Sequence, residues 1–140
     1  MKVIKRILLA VDESSHSDLV AERAIAMAGS FEAKVFLVYV HPKVLELGQP
    51  YYQEVLNKYI EHADYTVAHH KTHLEKSGID FEVLILEGDP AEMINETARV
   101  LKSDLIVMGS RGLSNILGLT LGSVSTKVLH SAKCMVLIVP

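Results

Sequence analysis

The chain contains no tryptophan and a single cysteine, Cys134, among its 140 residues. One thiol excludes an internal disulfide and a cysteine-built metal centre, and it suits a reducing cytosol. A basic excess is missing too: 14 Lys and Arg stand against 17 Asp and Glu, a formal charge of −3. Nucleic-acid backbones recruit a basic face, so no such partner is expected. Aromatics are 6% of the chain, and Tyr51, Tyr52, Tyr59 and Tyr65 form no alternation with basic residues, which argues against a base-stacking surface. Long apolar runs are also absent. MKVIKRILLAVDES opens with cationic residues like a secretory leader, but its apolar stretch from Ile7 stops at Asp12. That is too short for a leader core or a bilayer span, so the expected location is cytoplasmic with no membrane partner.

What is present is apolar and regularly spaced. Hydrophobic residues make up 49% and charged residues 22%, an ordinary balance for a globular protein. A chain of this length is expected to form one domain over residues 1–140, burying roughly two-thirds of the surface it exposes when unfolded. Five runs rich in β-branched residues, at 3–11, 34–40, 80–86, 104–108 and 134–139, predict strands. Most are continuous Val, Ile and Leu rather than alternating, which suits strands covered on both faces.

Helical spacing fills the gaps between them. Ser15-His16-Ser17-Asp18 has the form of a capping box, and Gly29 is placed to stop a helix over 17–28. A long helix over 51–77 puts Tyr52, Leu56, Tyr59, Ala63, Val67, His70 and Leu74 on one face, with Gly78 ending it. Asp89-Pro90-Ala91-Glu92 is a helix start, with an acid at the N-cap and proline at the first helical position. A last helix is expected over 123–131. This alternation implies an α/β fold, a parallel sheet with helices on both faces. Ligands of such sheets sit beyond the carboxyl ends of strands, here just after Val11, Val40, Leu86 and Met108.

The glycines cluster in one of those places. MGSRGLSNILGLTLGS, residues 108–123, spaces Gly109, Gly112 and Gly122 by two and nine residues and ends on Ser123. Lacking Cβ, Gly109 and Gly112 let the chain turn sharply, adopt positive φ and bring amides against a phosphate. Ser123, Val124 and Ser125 then open a helix whose first amides have no internal partner, and the two serines add hydroxyl donors. Hydrogen bonds to a charged group contribute roughly 1.5–3 kcal/mol each, so a few of them hold a polyphosphate. A plain turn is the alternative. The Gly-Lys-Ser/Thr triplet of a Walker loop is missing, with Arg111 and Lys127 the nearest cations. The dinucleotide fingerprint is missing as well, since the turn Val11-Asp12-Glu13-Ser14-Ser15 has no glycine.

In these residues the chain resembles the universal stress protein family, whose ATP-binding members carry G-2x-G-9x-G-S/T after the fourth strand. Gly109, Gly112, Gly122 and Ser123 match that motif. The resemblance covers the whole chain: ILLAVDES is similar to the family's first strand and turn, EGDPAEMI to its third helix start, and SDLIVMGSRG to its fourth strand. GSVSTKVLHSAKCMVLIVP is similar to the closing helix and strand. It implies a single Rossmann-like domain with strand order 3-2-1-4-5, and an adenine nucleotide, ATP or AMP, across the ends of the first and fourth strands.

The resemblance also implies that Asp12 accepts hydrogen bonds from ribose hydroxyls, in keeping with a carboxylate's acceptor-only character. An acid favoured by the nearby helix N-terminus is the other explanation. Val40 is implied to seat the adenine through its main chain. The phosphates fall to Gly109, Arg111, Gly112, Gly122, Ser123, Val124 and Ser125, with Mg borne by the nucleotide meeting Ser123. Gly88 and Asp89 are expected to border the same crevice. One departure from the family pattern is residues 113–121, which hold an extra glycine, Gly118, and no charge.

No catalytic residue is assigned. Phosphoryl transfer needs an in-line nucleophile and a positioning group, and no carboxylate base is evident near the γ-phosphate, with Asp12 expected at the ribose. A nucleotide-responsive stress or regulatory protein is therefore expected, with a slow ATPase or phosphoryl-transfer enzyme as the alternative. His62, His69 and His73 share one side of the long helix, and His69 and His73 have the i, i+4 spacing of a metal pair. Without a Cys or a clear third ligand, a solvated flank and no protein-held metal are expected. His70 points to the core side, where a buried, hydrogen-bonded histidine is expected. The run 134–139 is wholly apolar and forms a sheet edge in the implied order. Pairing with a second copy covers such an edge, so a homodimer is expected, shielding by the protein's own loops being the alternative.

Overall fold

The computed structural model describes residues 3–43, 49–110 and 121–140. In chain order these form β1 (Arg6–Val11), α1 (His16–Phe31), β2 (Lys34–His41), α2 (Gln49–Ser77) and β3 (Phe81–Glu87). There follow α3 (Pro90–Val100), β4 (Leu105–Gly109), α4 (Ser123–Ser131) and β5 (Met135–Val139). The strands make one parallel sheet in the order β3-β2-β1-β4-β5, as the family resemblance implied. Ile7 lies between Val35 and Leu105, and Leu105 lies beside Met135.

Side chains alternate across a strand, so β1 feeds two separate cores. Ile7, Leu9 and Val11 pack with Val20, Ala21, Ala24 and Ala28 of α1 and with Ala63, Val67 and Leu74 of α2. Leu8 faces the other layer, against Ala91, Ile94 and Ala98 of α3 and Val128 of α4. Burial on both faces explains the unbroken apolar character of β1, β2 and β4; each fully buried Leu or Ile stabilises the fold by about 1.5–3 kcal/mol. The edge strand β5 is different. Its Val136, Leu137 and Ile138 are half-buried, and Met135 is 57% exposed. Among the described residues, no helix is long and apolar enough to cross a membrane.

Local signals at α1 differ from expectation at both ends. Ser15 occupies the N-cap in a helical conformation and makes no side-chain capping bond, so the expected capping box does not form. The entry is held instead by Ser17 N–H on the Ser14 carbonyl and Asp18 N–H on the Ser15 carbonyl. At the other end the helix passes through Gly29 and closes at Glu32, which takes the left-handed conformation at φ 55°. The Ala28 carbonyl there accepts from both Glu32 and Ala33 N–H groups, satisfying the last turn without glycine. At α3 the expected cap is present, with the Asp89 carboxylate accepting from Glu92 N–H at 3.1 Å.

Candidate functional site

The crossovers through α1 and α2 carry the chain from β1 outward to β3, and α3 returns it past β1 to β4. Winding therefore reverses between β1 and β4, and the loops leaving their carboxyl ends diverge. A cleft of about 220 Å³ opens at that point. Val11 and Asp12 enter it from β1, Val38 and Val40 from β2, and Met108 and Gly109 from β4. Gly122, Ser123, Val124 and Ser125 close it from the start of α4. Seven of the residues singled out from sequence thus line one cavity; Arg111 and Gly112 lie outside the described residues. Gly88 and Asp89 do not line it. Pro90 and Ile94 of α3 do, because Asp89 is occupied in capping that helix.

Asp12 is built into a small polar turn. Its Oδ1 accepts from Ser14 N–H at 2.9 Å, from the Ser14 hydroxyl, and from the Ser17 hydroxyl at 3.0 Å. Ser17 Oγ in turn accepts from Asp12 N–H at 2.9 Å. Three donors on one oxygen fix the carboxylate, and among the described residues Oδ2 has no protein donor. The next residue is anchored as well: the Tyr39 hydroxyl donates to Glu13 Oε1. Burial of Tyr39, and then the Glu13 carboxylate beside it, push its phenol far above the ordinary range.

At the opposite wall, Ser110 organises the start of α4. Its carbonyl accepts from Gly122 N–H at 2.6 Å and from the Ser125 hydroxyl at 2.8 Å. Two expectations change here. The Ser125 hydroxyl is 2% exposed and its single proton is committed to the backbone, so it braces the loop rather than donating into the cleft. The Gly122 amide is likewise spoken for. Neither Gly109 nor Gly122 has positive φ; Gly109 is the last residue of β4, in register with Val139. What these glycines supply here is the missing Cβ at the cleft wall. The amides of Ser123, Val124 and Ser125 meet no acceptor among the described residues, no side chain caps them, and Ser123 is exposed. Those N–H groups and the partial positive charge of the helix end form an anion-seeking surface.

His16 and Ser110 were not found from sequence. His16 Nε2 lies 2.8 Å from the Val139 carbonyl, which also accepts from Ser110 N–H at 3.0 Å. A carbonyl only accepts, so the His16 proton sits on Nε2. This ties the α1 entry, the β4 exit and the end of β5 together. The partners are 123 residues apart in the chain for His16, a separation no local pattern records.

A second cleft lies between α1 and α2 and shares Asp12 and Ser14 with the first. His69 and His70 line it with Asp18, and His69 Nε2 stands 2.5 Å from Asp18 Oδ1. His70 is 3% exposed, as its place on the inward face of α2 predicts, but its Nδ1 has no partner among the described residues. Burial, and then the neighbouring His69, push its pKa below the usual imidazole value. The partner of His69 is therefore on another helix, not His73 one turn along.

Comparison with known proteins adds to this geometry. The universal stress protein family model matches residues 4–140. A Thermus aquaticus protein, the universal stress protein in QAH/OAS sulfhydrylase 3'region, is 40% identical over 139 residues, covering 98% of this chain and 99% of that one. The solved structure of the hypothetical protein MJ0577 superposes with a TM-score of 0.88 at 28% identity, covering 99% of this chain and 96% of that one. A universal stress protein in complex with cAMP gives a TM-score of 0.75 at 25% identity, with 99% and 98% covered.

Proposed function

The chain belongs to the universal stress protein family, and from that premise we propose that residues 1–140 bind an adenine nucleotide, ATP or AMP, and act as a nucleotide-responsive stress or regulatory protein. The observation that carries this reading is the cleft between β1 and β4, where three amides at the start of α4 and the Oδ2 of Asp12, all without a protein partner among the described residues, belong to residues lining one cavity. The two groups have opposite preferences. Amides at a helix N-terminus attract phosphate oxygens, and a carboxylate oxygen attracts hydroxyl donors. A ligand with a phosphate at one end and vicinal hydroxyls beyond it satisfies both.

In this assignment Ser123, Val124 and Ser125 meet the phosphates through their amides, with Gly109, Arg111, Gly112 and Gly122 as the rest of the phosphate loop. Asp12 takes the ribose, and the main chain at Val40 seats the adenine. The aliphatic side chains of Val38, Val40 and Ile94 suit a flat apolar ring. The Ser123 hydroxyl, exposed and without a protein partner among the described residues, is where Mg carried by the nucleotide would meet the protein. The related protein in complex with cAMP supports an adenine ligand. The apolar β5 edge supports a homodimer paired through residues 134–139.

Catalysis is assigned no residue. Asp12 is the one carboxylate lining the cleft among the described residues, and it is committed to the ribose end, so hydrolysis is slow or absent. The test has two parts. Adenine nucleotide should be recovered from protein purified without added ligand, and adenylate titration should give a saturable calorimetric signal. Failure of both would sink the binding assignment. Rapid, saturable phosphate release that disappears in Gly122→Val would instead favour an ATPase.

A further inference from the structure

We infer that Asp18, His69 and His70 form a binding site for a divalent transition-metal ion of the zinc class, bridging α1 and α2. Each residue offers one donor atom, and the three atoms lie within 4.8 Å of one another. Asp18 stands in the first turn of α1, while the two histidines are consecutive on α2. Neighbouring helix positions diverge by about 100°, so adjacent histidines rarely converge on one point. Here they do, because the cluster sits at the seam between helices: His70 turns inward and His69 lies outside, their rings edge to face with centroids 5.0 Å apart.

The second observation is the condition of His70. A ring buried to 3% exposure, whose Nδ1 meets no protein group among the described residues, lacks there the partner that buried polar atoms almost always have. It lines the same cleft as Asp18 and His69. Asp12 and Glu13 line that cleft too, so the surroundings are acidic and favour a cation. The two imidazoles and one carboxylate suit zinc, cobalt or nickel better than magnesium or calcium, which prefer all-oxygen shells. Three protein ligands leave a fourth position open to water.

With bonds of about 2.1 Å, tetrahedral ligands stand roughly 3.4 Å apart. The Asp18–His69 contact at 2.5 Å must open slightly and the third atom close in. The side chains of His69 and Asp18 are 54% and 56% exposed and are free to adjust.

The test uses the purified full chain without nucleotide, so its outcome is separate from that of the cleft between β1 and β4. Cobalt titration followed by visible absorption, and zinc titration by calorimetry, should show one ion bound per chain. Asp18→Asn and His69→Gln, both at exposed positions, should each weaken binding by about tenfold or more. Zinc should raise the melting temperature of the wild type but not of the double variant. His73→Gln should leave binding intact. No saturable uptake, uptake unchanged in the double variant, or uptake abolished by His73→Gln alone would each overturn the site. His70→Gln adds a fourth arm if circular dichroism shows it folded, and undiminished uptake by that folded variant would count against the proposal; the exposed variants decide the matter without it.

Discussion

The two oxygens of Asp12 have different surroundings, and that difference can be measured. Oδ1 holds the turn together through Ser14 and Ser17, whereas Oδ2 has no protein donor among the described residues. Asn in place of Asp keeps one acceptor for the turn but offers an amide where the ribose needs an acceptor. Asp12→Asn should weaken adenylate binding roughly 10- to 100-fold, the value of a charge-assisted hydrogen bond, with little change in melting temperature. Calorimetry beside thermal unfolding separates the two effects. The serines of α4 should split the opposite way. Ser125→Ala removes a buried bond to the Ser110 carbonyl and should cost about 1 kcal/mol of stability in denaturant titrations, whereas exposed Ser123→Ala should lower affinity alone. Tyr39 carries a pH signature. Its phenol is 2% exposed and its pKa is raised in the folded state, so the protein keeps the proton longer than the unfolded chain does. The stability this gives is full below about pH 10, the unfolded value, and is lost as pH rises toward the folded value. Melting temperatures above pH 10 should fall more steeply for the wild type than for Tyr39→Phe; parallel curves would contradict this.

Helix ends decide what each element contributes, and two of them show it by contrast. α3 is capped by its own Asp89, so Asp89→Ala should cost about 1 kcal/mol in chemical denaturation without altering nucleotide affinity. α4 has no side-chain cap among the described residues, and its first residues line the cleft. A helix that forgoes its cap at a cavity wall is the feature sequence could anticipate, since Gly122 precedes the helix where Asp89 precedes α3. Strands were legible for a similar reason: runs such as Val35–Val38 leave no polar face, and a strand buried on both sides is what accepts that. The ends of α1 were not legible. Gly29 is a stop signal by propensity alone, yet the small face of Ala21, Ala24 and Ala28 packs on the sheet and carries the helix two residues further. Likewise the Ser15 signal yields to Asp12, which recruits Ser14 and Ser17 first. At the site, the strand ends and glycine spacing pointed to the crevice that Gly109 lines, whereas Asp12 and Val40, which line it too, were named through the family resemblance. The parts played by Ser110 and His16 depend on contacts between distant segments and were hidden for that reason.

At the scale of the molecule, β1 joins everything: both cores, both neighbouring strands and the cleft all meet on its six residues. The two rims of the sheet are less settled. β5 presents Met135 outward beside half-buried Val136, Leu137 and Ile138. If this rim pairs with a second copy, Met135→Lys should shift the protein from dimer to monomer in sedimentation velocity while leaving its circular dichroism unchanged. A single monomeric species for the wild type would refute the pairing. The Val139 carbonyl, held by both His16 and Ser110, brings a further consequence. It belongs to the edge strand β5, whereas His16 opens α1 and Ser110 follows β4. One carbonyl on the sheet edge thus links the two sides of the cleft, and fraying of β5 at its end would release the α1 entry and the β4 exit together.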